Sequence, residues 1–393
     1  MIGAPFFIVG LPRSGTNLVA RMLNRHPQTS VALDPCMPVF RSIRDAVIRH
    51  HGDAALRRRY PPGLPFQDYY FDSLAPMLLD AVLGANPDML VPAGEIERLR
   101  IDCCGRASLE SPEMGRRMEA LQGCTYGEVL ASLFAILDDA SPGKQWIGCK
   151  EVWIEDFIPL LARVLPQCRF ISIERDPRAV VASLLAMAAT DPSQAAHAPS
   201  YMRHWRKGIV LNRRHQTDPD LAGRLLLIRY ESLVDDPKGS ARALCGFLGL
   251  DDDPAMVALS EDGWTGNSSY RHVGGDVYAE SRERWLTQLR AEIIAAIDYL
   301  CGPEMRLTPY EPAAPPHLDG RVIAYLLRAN QETGSWRSDS GDFHADLAGE
   351  ALRYALLEAG DLASESEFML RRCFLFPEIH HAILHADGCR VSG

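Results

Sequence analysis

The chain has 393 residues, 47% apolar and 23% charged, with a net charge of −10. That length buries a full core as one large domain or two, and that composition excludes wholesale disorder. The acidic balance excludes a general nucleic-acid binder, which needs a basic surface, so the run "LRRRYPPG" (Arg57, Arg58, Arg59) reads as a solvated face. In chain order, "FFIVG" (Phe6 to Gly10) reads as a strand running into a glycine loop. "NLVARMLNRHP" follows with Leu18, Val19, Met22 and Leu23 at helical spacing, closed by Pro27. Further apolar strands fall at "TSVAL" (29–33), "QWIGC" (145–149), "CRFISI" (168–173) and "RLLLIR" (224–229). Helical patterns separate most of them: "YGEVLASLFAILDD", "DFIPLLARVLP" and "PRAVVASLLAMAA". Buried strands alternating with helices predict an α/β fold with a mostly parallel sheet flanked by helices, binding ligands at the carboxyl ends of its strands.

Between 35 and 125 prolines, glycines and arginines interrupt weak helical stretches, and the position fits an insertion lining an acceptor pocket. After Tyr310 the proline cluster "EPAAPPH" reads as a linker. The helical patterns "GRVIAYLLRANQ" and "DLAGEALRYALLEAG" then make 311–393 a C-terminal helical extension to a domain of residues 1–310. No apolar stretch approaches the ~20 residues of a membrane span. No basic residue precedes the apolar start, and the ten cysteines show no CxxC pair, so they read as reduced thiols of a cytoplasmic protein.

The loop "GLPRSGTN" keeps the Gly10-x-x-x-x-Gly15 spacing of a phosphate loop, but Thr16 stands where that motif requires lysine. Its small residues let backbone N–H groups converge on an anion at a helix start. Arg13 adds a fixed charge, and Ser14, Thr16 and Asn17 add side-chain donors. A second anion site is carried by "FISIERDPRAVVASLL". It places Arg175 at a strand end, Asp176 as N-cap, Pro177 as the first helical residue and Ser183 on the helix beyond. Alone, the first segment could be a glycine turn and the second a capped helix start with a surface ion pair.

Together these segments resemble the PAPS-dependent sulfotransferase family, PAPS being adenosine 3′-phosphate 5′-phosphosulfate. "PRSGTN" is similar to the family's 5′-phosphosulfate loop. "RDPRAVVAS" is similar to its 3′-phosphate motif, with arginine and serine eight positions apart. "CKEVW", "RYESLVDDP", "WTGNSSY" and "SRERW" follow in family order, and the pattern is closer to the tyrosylprotein, carbohydrate and bacterial branch than to the cytosolic steroid and phenol enzymes. The resemblance implies a P-loop-type fold and in-line transfer of a sulfuryl group from PAPS to a hydroxyl, giving adenosine 3′,5′-bisphosphate and a sulfate ester.

By that resemblance Lys150 takes over from the missing lysine, at the bridging oxygen and departing phosphate. Arg13 holds the sulfuryl oxygens and 5′-phosphate with Ser14, Gly15, Thr16 and Asn17. Arg175, Ser183 and Arg284 hold the 3′-phosphate, with Arg203 or Arg206 in place of a further arginine found in some relatives. Tyr230 contacts the nucleotide, and Ser269, with Ser268 beside it, donates to the transition state. Asp34 of "HPQTSVALDP" stands where the branch carries its acidic base, usually glutamate; His26 and His272 are the alternative bases. The chemistry calls for no metal, and the late cluster His380, His381, His385 and Cys389 reads as an exposed helix. A P-loop kinase, which would need the missing lysine and a magnesium-binding pair, and a catalytically silent nucleotide-binding protein are the competing readings. The expected partner is a small-molecule, sugar or peptide hydroxyl, with a homodimer as a further expectation; the tail is open between a part in the acceptor site, dimerisation and neither.

Overall fold

Phe6, Phe7, Ile8 and Val9 are all fully buried although successive side chains leave opposite faces of a strand, so this strand is covered on both sides. It is β1 (Ala4–Gly10), the centre of a five-stranded sheet ordered β2-β3-β1-β4-β5, with β2 Thr29–Leu33, β3 Trp146–Lys150, β4 Arg169–Glu174 and β5 Leu225–Arg229. Every pairing is parallel. These are the five apolar runs of the sequence, each within a residue or two. The computed structural model describes residues 3–188, 197–259, 279–333, 342–360, 362 and 365–381. It divides into one unit of Met1–Phe66, Asp80–Glu174 and Asp218–Ala279 and a second of Gln67–Leu79, Arg175–Thr217 and Glu280–Gly393.

The first unit holds the sheet. On one face, Phe6 and Ile8 pack with Val19, Met22 and Leu23 of α1 (Thr16–Asn24) and with Leu244 and Leu248, which lie in a later helix, Pro237–Leu248. On the other face, Phe7 meets Phe40 of α2 (Met37–His51) at 6.3 Å between ring centres and Phe134 of the helix Tyr126–Asp139 at 5.2 Å. Segment 35–125 is more regular than the sequence implies. It folds into α2, α3 (Ala54–Arg59), α4 (Ala75–Leu83), α5 (Glu95–Ser108) and α6 (Pro112–Arg117), with α4 carrying the chain across the unit boundary. Asp53 caps α3 by accepting from the Ala55 and Leu56 N–H groups at 2.7 and 2.9 Å. Arg57 and Arg58 are exposed in its last turn, where cations suit the helix dipole. The helix Tyr126–Asp139 is α7; Ile158–Val164 is α8.

The second unit is helical: α9 (Pro177–Ala188) and α10 (Ala198–Gln216), then, after α11 (Tyr230–Asp235) and α12 (Pro237–Leu248) of the first unit, α13 (Trp285–Gln288), α14 (Ala291–Met305), α15 (Gly320–Thr333), α16 (Phe343–Ala359) and α17 (Glu367–Phe374). Its centre is ionic. Arg206 of α10 pairs with Glu350 of α16 at 2.6 Å and lies 3.8 Å from the centre of the Tyr70 ring, while Arg353 joins Glu350 to Glu304 of α14. All four charged side chains are inaccessible to solvent. Burial acts to raise the Glu304 pKa, but Arg353, then His380 and Arg206, hold it down at about 2.

Two sequence expectations change here. Arg203 and Arg206 are taken up by buried pairs with Asp68 and Glu350. His380 is not on an exposed helix: it is buried, with Nε2 3.3 Å from Glu304. His385 and Cys389 lie outside the described residues.

Candidate active site

All five strands point the same way, so the residues that follow them share one edge of the sheet. The loop after β1 is built on left-handed backbone at Arg13 (φ 75°) and Gly15 (φ 105°). A Cβ on Gly15 would lie 2.4 Å from the ring of Tyr230, the first residue of α11 directly after β5, so only glycine allows that approach. Ser14 closes the turn, donating from both its N–H (3.1 Å) and its Oγ (2.6 Å) to the Leu11 carbonyl. Helix α1 then starts at Thr16 with no side-chain cap; the Gly15 carbonyl accepts from the Leu18 and Val19 N–H groups at 2.9 and 3.3 Å, and a helix start of this kind favours an anion. Asn17 Oδ1 is buried with no partner among the described residues.

Beside β1 lies β3, with Ile8 in register with Lys150. Asp34, the residue after β2, donates its N–H to the Lys150 carbonyl at 2.8 Å and sits at φ 48°. Arg106 of α5 donates to the Asp34 carbonyl at 3.2 Å, fixing this turn from within the segment 35–125. The side chains of Asp34 and Lys150 form an ion pair through Oδ2, with Lys150 3% and Asp34 17% exposed. Asp34 Oδ1 is buried and has no partner among the described residues. Sequence reasoning missed Glu151. It is fully buried, and burial, followed by the charge of Asp34, pushes its pKa up to about 7. The signal was a carboxylate in "CKEVW" at the end of an apolar strand.

His26 is buried with both ring nitrogens occupied. Nδ1 accepts the Gln28 N–H at 3.2 Å, so the proton is on Nε2, 3.0 Å from the Asp251 carbonyl. It ties loops together and is no free base. Ser268, Ser269 and His272 lie outside the described residues.

In the second unit, Arg175 directly follows the last residue of β4. It is buried, donates from Nη2 to the Ser281 carbonyl at 3.0 Å, and its own carbonyl accepts from Trp205 Nε1 at 2.7 Å. Asp176 caps α9 through the Arg178 N–H at 2.8 Å and grips the Arg178 guanidinium through Nε (2.9 Å) and Nη2 (2.7 Å). The cap is where the sequence puts it, but the ion pair is buried rather than on the surface. Ser183, two turns along α9, is also buried, and Arg284, half-buried, precedes α13.

A family model described as "Sulfotransferase family" matches residues 5–254. The chain belongs to the sulfotransferase family. Within that match lie the loop, Asp34, Lys150, Arg175, Ser183 and Tyr230; Ser268, Ser269 and Arg284 fall beyond it. Among curated sulfotransferases, carbohydrate sulfotransferase 3 of Homo sapiens is 28% identical over 197 residues, 44% of this chain and 40% of that protein. The Mus musculus protein of the same name is 25% identical over 206 residues, 44% of this chain and 41% of its own. The chain thus spans about two-fifths of the length of these curated relatives. Of solved structures, the sulfotransferase domain from the curacin biosynthetic pathway is 17% identical, with 84% of this chain and 98% of that domain covered, at a TM-score of 0.41. Among the described residues no helix is long and apolar enough to cross a membrane.

Proposed function

We propose that this sulfotransferase moves a sulfuryl group from PAPS to a hydroxyl acceptor, with Asp34 as base and Lys150 as the cation that receives the leaving-group charge. The observation that carries the reading is the pair itself: a carboxylate with one oxygen on a buried ammonium and the other buried and unpartnered, at the sheet edge where the glycine loop opens. Asp34 Oδ1 takes the acceptor proton as the acceptor oxygen attacks sulfur. Lys150 Nζ meets the negative charge that grows on the bridging oxygen as the sulfur–oxygen bond breaks. Arg13, Thr16, Asn17 and the N–H groups at the start of α1 hold the sulfuryl oxygens and 5′-phosphate; Ser14, whose N–H and Oγ both donate to Leu11, joins them only by turning its hydroxyl to the ligand, and Tyr230 lies against the loop. Arg175, Ser183 and Arg284 take the 3′-phosphate, and Ser269, or Ser268 beside it, donates to the transition state. Positioned charge of this kind supplies most of the rate in related phosphoryl transfers.

In this proposal residues 1–310 carry the chemistry, segment 35–125 lines the acceptor side and 311–393 is a helical extension. Arg106 gripping the Asp34 carbonyl supports the second assignment. The acceptor is a small-molecule, sugar or peptide hydroxyl, and the carbohydrate sulfotransferase name of the curated relatives favours screening sugars first. A cytoplasmic protein is proposed because the nine cysteines among the described residues are all free thiols; cell fractionation reads this. A homodimer is part of the proposal, read by sedimentation velocity.

Calorimetric titration tests the donor. Adenosine 3′,5′-bisphosphate should bind tightly, while adenosine 5′-phosphate and ATP should bind much more weakly. Equal affinity for all three would remove PAPS as donor and return the loop to general nucleotide binding.

A further inference from the structure

Along the end of β3, Cys149 and Glu151 alternate with Lys150, so their side chains leave the opposite face of the strand. There Cys36, at the start of α2, brings its Sγ to 3.4 Å from Cys149 Sγ and donates its N–H to Glu151 Oε1 at 2.5 Å. Cys36, Cys149 and Glu151 have no exposed surface at all. Glu151 Oε2, the oxygen not used by Cys36, is buried and has no partner among the described residues. The two sulfurs and a carboxylate oxygen lie within 4.8 Å of one another. A polar oxygen left in a dry interior without a partner costs free energy whether or not it carries a proton, and the transfer chemistry uses neither it nor the thiols.

We propose that Cys36, Cys149 and Glu151 bind a thiophilic divalent ion of the zinc class. The fit is close: with metal–sulfur bonds of about 2.3 Å, sulfurs 3.4 Å apart subtend about 95° at the metal, and roughly 0.4 Å of further separation reaches the tetrahedral angle. A disulfide would instead need the sulfurs to close to about 2.05 Å and would leave Glu151 Oε2 unanswered. On binding, both thiols release their protons to water and coordinate as thiolates. A fourth position is left to water. Because this face lies behind Lys150, the ion takes no part in sulfuryl transfer. It clamps the start of α2 to the end of β3, and so holds together the two turns that present Asp34 and Lys150.

The test needs no acceptor and no activity. The full chain, made without a metal-chelating tag in zinc-supplemented medium and dialysed against a weak chelator, is measured by native mass spectrometry and elemental analysis. The apo chain is then titrated with cobalt and followed by near-ultraviolet absorption. A single zinc ion per chain and a thiolate-to-cobalt charge-transfer band are expected. Cys36→Ser and Cys149→Ser, each checked for folding by circular dichroism, should lose both signals. Glu151→Gln should weaken zinc binding by at least ~10–100-fold, the cost of disturbing even a supporting group, while Cys245→Ser, a buried thiol elsewhere, should keep it. A folded wild-type chain with no zinc and no cobalt band overturns the proposal. So does a mass lower by two hydrogens that maps to a Cys36–Cys149 disulfide.

Discussion

Asp34 is one methylene shorter than the glutamate usual at its position in the related branch, and the sequence leaves its reach in question. At φ 48° and tied on both sides, by its N–H to Lys150 and by its carbonyl to Arg106, the turn itself delivers the carboxylate to Lys150. Asp34→Asn keeps this shape and removes the basic oxygen, so turnover should collapse while calorimetric affinity for adenosine 3′,5′-bisphosphate stays. Lys150→Ala should cost ~10²–10³ in turnover, the usual loss when one transition-state donor is removed. Normal turnover in Asp34→Asn would move the base elsewhere, with His26 already occupied. The strand-end positions of both residues were legible because each follows an apolar run, while their roles came only from the family resemblance. The Cys36–Cys149–Glu151 cluster was not legible, since its members meet across more than a hundred positions and no local pattern marks a contact of that range.

At the scale of elements, the strand–loop–helix unit shows why its glycines are where they are. Gly15→Ala adds a Cβ that would lie 2.4 Å from the Tyr230 ring, on backbone at φ 105° that side chains avoid. Strain of this kind runs to ~1–3 kcal/mol. Nucleotide binding in calorimetry should therefore weaken by about 5–150-fold, and the loss caused by Gly15→Ala should be smaller when it is measured in a Tyr230→Ala background that lacks the obstructing ring. Weakening of equal size in both backgrounds would mean that the backbone angle alone matters. The strands were readable from composition because both faces are apolar. Helix α10 was not: its buried face includes Arg203, His204, Arg206 and Lys207, which breaks the apolar period. Two of the counter-charges, Asp68 and Glu350, come from positions 135 and 144 residues away.

For the molecule as a whole, that ionic centre decides what the C-terminal helices do for stability. Glu350, Arg353 and His380 all follow Tyr310, so ending the chain there would leave Arg206 and Glu304 buried without these partners. A chain cut at that point should lose the fold of the second unit, and with it the proposed 3′-phosphate residues Arg175, Ser183 and Arg284. A gentler version is Glu304→Gln in the full chain. Glu304 titrates at about 2 in the folded state, below the 4.5 of an ordinary glutamate. Its contribution is therefore fully present above pH ~4.5 and is lost as the pH falls toward 2, because protons bind the unfolded form first. Urea denaturation at neutral pH should show Glu304→Gln less stable by ~3–5 kcal/mol, the cost of removing one partner from a buried pair. As the pH drops from 4.5 to 2 the two stability curves should converge, since the wild type loses what the variant never had. Parallel curves over that range would show that Arg353 does not hold a carboxylate ionised there, and the second unit would then owe its cohesion to packing around Tyr70 and Phe374 rather than to charge.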